Sequence, residues 1–439
     1  MAFLQRHRRK NHKQPAYNKL MSYKEWKYWI SSLPWHLRWF AILVLIRPLV
    51  DSFYFLKNIS PFLSPLYLVG ILTPVLAVIT LINYRKKDNS PIDVLFVLWS
   101  FLIFVSLLFM FLNDPMSKTF LEYFLKLSMP IYLFFFLRLL IRSQRDLDGV
   151  LQTFLYSCLF VAAVFLFELF VNPVKVLKTR DLERIQGYFG DVMNYAIYLT
   201  QGFLISAYFY LRRRNNQPSS VRTRNLVIAG ILCVAVLFKI SHTASYAVFA
   251  SLLLLFMLFN LKTNRTAGFA IIISCAILGY FFGGETVESK IAPLLKTDIA
   301  VYEGKKTNER LLHGRVGRWK SMLEQFSTFP VAAQFFGMPI MVTDAYAEVS
   351  TGSHNDFVRI LFFTGVSGLI VYLLILFFLF RRLKYLSTGL HFLALGAMTI
   401  LFLYSVTTCP TLYAPMLYII LSVFCYLSLP ENILAKNES

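Results

Sequence analysis

Charge is scarce in this sequence. Of 439 residues only 15% are charged, against roughly 25% in ordinary soluble domains, while 57% are hydrophobic and 17% are aromatic. So little polar surface excludes a water-soluble globule of this size. Acidic residues are scarcer still, 23 against 44 Lys and Arg, for a formal net charge of +21. In a soluble chain that excess would point to nucleic acid. Here the basic residues gather in clusters between apolar runs, so they carry topology and suit anionic lipid headgroups, with no nucleic-acid partner. The cysteines, Cys158, Cys233, Cys275, Cys409 and Cys425, lie inside or at the edges of apolar runs with no CxxC spacing, which argues against a disulfide framework and a zinc site. Also missing are a GxxxxGK[ST] loop, a GxGxxG opening a helix after a strand, HExxH and GxSxG, so an ATP-driven pump, a zincin and a serine hydrolase lose support. Glu303, Glu309, Asp344 and Glu348 are scattered and read as solvated loop charge. The first apolar stretch contains Arg47 and Asp51 and no small-residue cleavage site, so the N-terminus reads as an uncleaved basic arm.

What the sequence does have is apolar runs of about twenty residues, the length that crosses a ~30 Å hydrocarbon layer as a helix. They fall at about 38–56, 62–83, 92–112, 119–140, 148–171, 192–211, 225–241, 243–261, 266–283, 357–380, 389–405 and 410–428. Backbone groups in lipid must be satisfied internally, and runs this long suit helices rather than barrel strands. The expected fold is all-α: a polytopic integral membrane protein of about twelve transmembrane helices. Basic clusters at the N-terminal arm, Arg85-Lys86-Lys87, Arg138/Arg142/Arg145, Arg212-Arg213-Arg214, Lys262/Arg265, Arg381-Arg382 and Lys436 place both termini in the cytoplasm. The expected organisation is a basic arm (1–37), helices one to nine (38–283) with an external loop at 172–191, a large external loop (284–356), helices ten to twelve (357–428) and a cytoplasmic tail (429–439).

Long external loops are where function should be sought. In the large one, Leu312, Val316, Trp319, Leu323 and Phe326 recur at helical spacing, flanked by Arg315 and Arg318. The spacing predicts an amphipathic helix on the membrane surface or against the bundle. Gly314 and Gly317 weaken its start. His354 stands in Gly352-Ser353-His354-Asn355-Asp356-Phe357-Val358-Arg359, with Gly365 and Gly368 beyond. An imidazole there can accept a proton from a hydroxyl nucleophile; alternatively Ser353, Asn355 or Asp356 caps the helix and His354 is an interfacial polar residue. Two other histidines, His242 and His313, fall on the same expected side. The first loop reads Arg184-Ile185-Gln186-Gly187-Tyr188-Phe189-Gly190-Asp191. Arg184, Arg315 or Arg318 could bind diphosphate through paired N–H donors, or could merely snorkel to the interface. Arg47, Asp51, Lys126, Glu168, Lys239 and Arg359 lie inside apolar segments and should face the bundle interior or an interface. Arg359 follows the His-Asn-Asp triplet by one turn and is a candidate further cation for the same site.

Taken together, these residues resemble the O-antigen ligase and O-antigen polymerase superfamily. The likeness is carried by twelve spans, a dominant loop before segment ten, Arg-x-x-Gly-x-Phe before segment six, an Arg-Trp helix in the loop, and Ser-His-Asn-Asp-Phe-x-Arg-x-Leu-x-x-x-Gly-x-x-Gly. It covers about 184–380 in detail. The resemblance implies a GT-C-like, metal-independent membrane glycosyltransferase without a cofactor, in the bacterial inner membrane, working at the periplasmic face. Its donor would be an undecaprenyl-diphosphate-linked oligosaccharide and its acceptor a glycan or glycolipid, among membrane lipids and with a chain-length regulator as a partner. Carried onto this chain, His354 would be the base or acceptor-orienting group, and Arg184 with Arg315 or Arg318 would hold the diphosphate. Asn355, Asp356, Arg359 and His313 would line the substrate. Many members carry Ser-Arg in the turn between segments seven and eight, where this chain reads Ser241-His242; Lys239 or His242 would stand in. The His-Asn-Asp-Phe-x-Arg form looks more like the polymerases than the ligases. A transporter or glycolipid flippase is the rival from another class, but its two six-helix halves usually join through a long cytoplasmic connection, whereas the connection at 212–224 is short.

Overall fold

The structure, a computed structural model, describes residues 21–59, 64–83, 90–113, 118–171, 176–179, 182–185, 187–189, 193–212, 219–263, 288, 292–337 and 353–435. In chain order the elements are α1 (Tyr23–Ser32), α2 (Trp35–Ser52), α3 (Pro65–Asn83), α4 (Pro91–Asn113), α5 (Lys118–Leu140), α6 (Gln144–Val171), β1 (Val176–Thr179), β2 (Leu182–Ile185), α7 (Met193–Leu211), α8 (Ser219–Ile240), α9 (Thr243–Thr263), α10 (Ala292–Tyr302), α11 (Leu311–Ser327), α12 (Val331–Phe336), α13 (Asp356–Arg382), α14 (Thr388–Thr407), α15 (Ala414–Leu427) and α16 (Glu431–Ala435). Each expected apolar segment coincides with one of these helices, except 266–283, which lies outside the described residues. Among the described residues α3, α4, α6, α8, α9, α13 and α14 are long and apolar enough to cross a membrane by length and composition. The chain is a multi-pass helical membrane protein.

The helix starts follow local chemistry. Ser22 and Glu25 form a reciprocal capping box at α1, and the Ser90 hydroxyl accepts from the Asp93 N–H at α4. Proline opens α3 and α4, where its missing N–H is no loss. Large apolar side chains on α3 and α4 face outward, among them Ile71 (55% exposed) and Phe104 (64%); a soluble monomer rarely exposes such contiguous surface. Tyr23, Tyr28, Trp35 and Trp39 are exposed around α1 and the start of α2, an aromatic belt suited to a headgroup layer.

Every residue of α15 is buried, and it packs on α5, α6, α7 and α14. α7 is almost as enclosed, between α6, α8, α9 and α14. Polar contacts sort the helix ends into two groups. At one end Arg138 pairs with Asp93 at 3.1 Å and donates to the Ser428 carbonyl at 3.2 Å. At the same end Arg212 pairs with Asp148, and Trp29 donates to Asp146 at 3.2 Å. At the other end Tyr198 donates to Asp51 at 2.7 Å, Thr411 donates to Asp356, and Ser245 bonds Tyr404 at 3.0 Å. The candidate residues belong to this second group.

Three expectations change. The 172–191 loop carries an antiparallel hairpin, β1 on β2, with Leu177 opposite Arg184, a small departure from an all-α chain. The last apolar segment begins with a short 3-10 turn, Pro410–Leu412, and its helix starts only at Ala414. In α11, Leu312, His313 and Gly314 adopt left-handed backbone, so regular helix begins at Arg315. Leu312 is therefore exposed, Leu323 is exposed as well, and the buried face is Met322 and Phe326. Phe326 lies 5.3 Å, ring to ring, from Phe362 of α13, so α11 rests against the bundle.

Candidate functional site

Four non-glycine residues among those described have positive φ: Ser241, Leu312, His313 and His354. All four lie in the stretches singled out by sequence. Left-handed backbone costs an ordinary L-residue roughly 1–3 kcal/mol and persists only where surrounding contacts hold it, often at functional sites.

The contacts that hold His354 are specific. The preceding Ser353 is buried, and its carbonyl accepts from Trp319 Nε1 at 2.7 Å. This bond ties the arginine-bearing helix α11 to the histidine loop. Asn355 caps α13, its Oδ1 accepting from the Val358 N–H at 3.1 Å, so the capping reading holds for that residue. Asp356 is buried and accepts from both the N–H and the hydroxyl of Thr411 at 3.1 and 2.7 Å. Cys409 adds contacts to Ser353 and to the Asn355 backbone, and burial pushes its thiol up to about 12 against the pull of Arg359. With neighbours fixed on both sides, His354 itself is exposed.

Arg315 and Arg318 are half-buried on the first turn of regular helix. Arg318 folds back on the left-handed turn, its Nε 3.4 Å from the Gly314 carbonyl and its Nη2 3.5 Å from that of His313. Partial burial lowers its pKa from the ordinary value, which still leaves a guanidinium charged at neutral pH. Within this pair Arg318 serves the turn.

Arg184 sits on β2, which packs on α8. Its charge bears on the Tyr246 phenol, whose hydroxyl donates to the Leu237 carbonyl at 2.9 Å. The first loop and the 241–246 turn are thus neighbours. In that turn His242 Nδ1 lies 2.8 Å from the Ser245 hydroxyl, which continues to Tyr404. Of the two residues considered at this turn, His242 is built into this chain of hydroxyls, while Lys239 is exposed on the last turn of α8. Arg359 is half-buried, its guanidinium carbon 5.8 Å from the Phe363 ring centroid. Beneath the loop, Gly187 has φ +60, and a Cβ there would overlap the Glu168 carboxylate and the Tyr195 hydroxyl that donates to it.

Two hollows lie at this end of the bundle. One, of about 310 Å³, is lined by Arg47, Lys126, Tyr67, Tyr132 and Tyr418 among apolar side chains; the other, of about 350 Å³, by Arg47, Asp51, Tyr54, Phe189 and Asn194. Leu412 and Ala414 line both, so the Thr411–Asp356 bond joins their wall to the His354 loop. His354, Arg184, Arg315 and Arg318 line neither. Sequence reasoning flagged Arg47 and Asp51 only as costly polar groups. Their i,i+4 spacing was the signal for the ion pair that the structure shows, Nε to Oδ1 at 2.7 Å. Among the described residues no three His, Cys, Asp or Glu side chains group so as to hold a metal ion.

No family model, no curated protein and no solved structure matches the chain.

Proposed function

We propose that this chain is a membrane-embedded glycosyltransferase, moving a glycan from a lipid diphosphate to a sugar hydroxyl at the periplasmic face of a bacterial inner membrane. Within that class we favour a polymerase of polysaccharide repeat units carried on undecaprenyl diphosphate. The supporting observation is the Trp319–Ser353 bond at 2.7 Å, which fastens the Arg315 helix directly to the left-handed loop that presents His354.

In this reading His354 accepts the proton of the acceptor hydroxyl as its oxygen attacks the anomeric carbon. The bond from that carbon to the diphosphate breaks, and the departing charge is met by Arg184 and Arg315. A lipid diphosphate is already a good leaving group, so the protein chiefly supplies cations where charge develops and a base near the acceptor. Asp356 acts on the loop and its helix, not on the sugar, because both of its oxygens are committed to Thr411, and Asn355 Oδ1 caps α13.

Purified protein in liposomes, given lipid-linked repeats alone, is expected to yield a ladder of products, undiminished by a chelator. Product only when lipid A-core is added would make it a ligase instead, and no product with either acceptor would remove the reading. Trp319→Phe keeps the ring and removes one donor. It is expected to lower transfer about tenfold at unchanged protein level, since sub-ångström positioning of the base governs rate. Full activity in that variant would show that the indole bond does not position His354.

A further inference from the structure

The stretch 327–337 belongs to the large loop that the sequence places outside the membrane, yet it lies beside the inner part of a spanning helix. From 360 to 380 α13 carries no charged residue, a run of about 30 Å along the helix axis that matches the hydrocarbon core of a bilayer. Gly365 falls about 7.5 Å inside that run. There its Cα faces the backbone of Phe335 and Phe336, and Gly337 in turn meets the backbone of Phe363 and Thr364. Ser367, a further ~3 Å in, donates to the Phe335 carbonyl at 2.6 Å. The chain is thus level with Gly365 at Gly337 and back at the head of α13 at Ser353.

The composition and hydrogen bonding of the stretch suit that depth. No charged residue occurs over 325–343. Gln334, the one polar side chain of α12, turns back on its own chain and donates to the Ser327 and Phe329 carbonyls at 3.0 and 2.8 Å. The Thr328 hydroxyl donates to the Gln325 carbonyl at 2.7 Å, and the Gln334 and Gly337 N–H groups donate to the carbonyls of Pro330 and Ala333. Irregular backbone survives in hydrocarbon only where its polar groups are satisfied and it rests against protein, and α12 rests on α13 and α4. Its other face turns outward, with Val331 79% and Phe335 55% exposed. Val366 and Ile370 on either side of Ser367 are exposed as well, as are Phe104 and Leu108 of α4, so the outward face of α12 joins apolar surface on two spanning helices.

We propose that 329–337 is a re-entrant element, dipping into the bilayer from the candidate-site end with Val331 and Phe335 among the acyl chains of that leaflet. Lipid is the occupant that an uncharged face fits when the helices beside it present the same kind of surface to the membrane. Since α12 follows α11 after a three-residue link, the insertion fixes how deep the helix bearing Arg315 and Trp319 sits. The proposal concerns insertion alone and stands whether or not glycan transfer occurs.

Photolabelling of the wild-type chain tests it without any substitution. In phosphatidylcholine nanodiscs, an aryl diazirine dissolved in the hydrocarbon is expected to leave adducts on Val331 and Phe335, as on Ile71 of α3, and none on Lys306, which is exposed in the same loop. Spin labels give a second reading on a chain whose native cysteines are replaced, with Val331→Cys, Phe335→Cys, Ile370→Cys and Lys306→Cys made singly and their unfolding temperatures compared with that of the cysteine-free parent. Oxygen is expected to relax the labels at 331, 335 and 370 more than a water-soluble nickel chelate does, with the order reversed at 306. A response at 331 and 335 like that at 306 would overturn the insertion. Protection of both positions from oxygen, nickel and the diazirine would place the face against another part of the chain or a second copy, and would overturn the assignment to lipid.

Discussion

Exchanging His354 for asparagine is expected to reduce glycan transfer by about 10²–10⁴-fold, the range for loss of a general base, while the protein inserts and accumulates as wild type. Asparagine is the informative substitution because His354 has φ +46, and Asn tolerates left-handed backbone better than most residues. The exchange thus removes the imidazole and spares the loop. His354 is exposed, so little packing is lost and any fall in product reports on chemistry. Alanine at Arg184 should cost ~2.7–4 kcal/mol of barrier, by analogy with a lost oxyanion-hole donor. Product is measured at matched protein levels. Normal glycan assembly by His354→Asn or Arg184→Ala would remove those residues from the mechanism.

Gly365→Ala is expected to have the largest effect on stability, at least about 3 kcal/mol when backbone strain and overlap are combined. Gly365 breaks α13 with φ 65 and ψ −171, a region open essentially to glycine. A Cβ there would also run into the backbone of Phe335 and Phe336, and one on Gly337, at φ +81, would meet Phe363 and Thr364. The two glycines let α12 and α13 touch backbone to backbone. The kink disturbs the helix ladder, and Ser106 donates to the Phe363 carbonyl while Ser367 donates to Phe335 at 2.6 Å. Thermal unfolding in detergent should show an early transition for Gly365→Ala, against a neutral or raised one for Gly70→Ala, where an added Cβ meets nothing within 4 Å. An unchanged transition in the first variant would mean that the kink is dispensable.

The contrast between those glycines marks what could be read from the sequence. Gly365 and Gly368 were visible as a motif, but a positive φ at Gly365 is imposed by α12, which approaches from about thirty residues away, and no local pattern encodes it. The apolar runs were legible because length and continuity alone decide a helix in lipid. The helix carrying Arg315 was legible as a period. Its face was not, because Leu312 belongs to a left-handed turn and falls out of the phase that Trp319, Met322 and Phe326 keep. The β1–β2 hairpin escaped because Lys178, Arg180, Glu183 and Arg184 mask its alternation. The charge interaction of Arg184 with Tyr246 and the hydrogen bonds of Thr411 to Asp356 join residues about sixty apart, and only the packed bundle brings them together.

The account rests on one spatial claim, that the imidazole at 354 and the guanidinium groups at 184 and 315 serve one reaction centre. Spin labels at 354 with 184, and at 354 with 315, on a chain whose native cysteines are replaced, measure it directly in nanodiscs. Both pairs are expected at separations that a single diphosphate and two side chains can bridge. A separation near the length of a spanning helix, ~30 Å, for either pair would contradict the shared site.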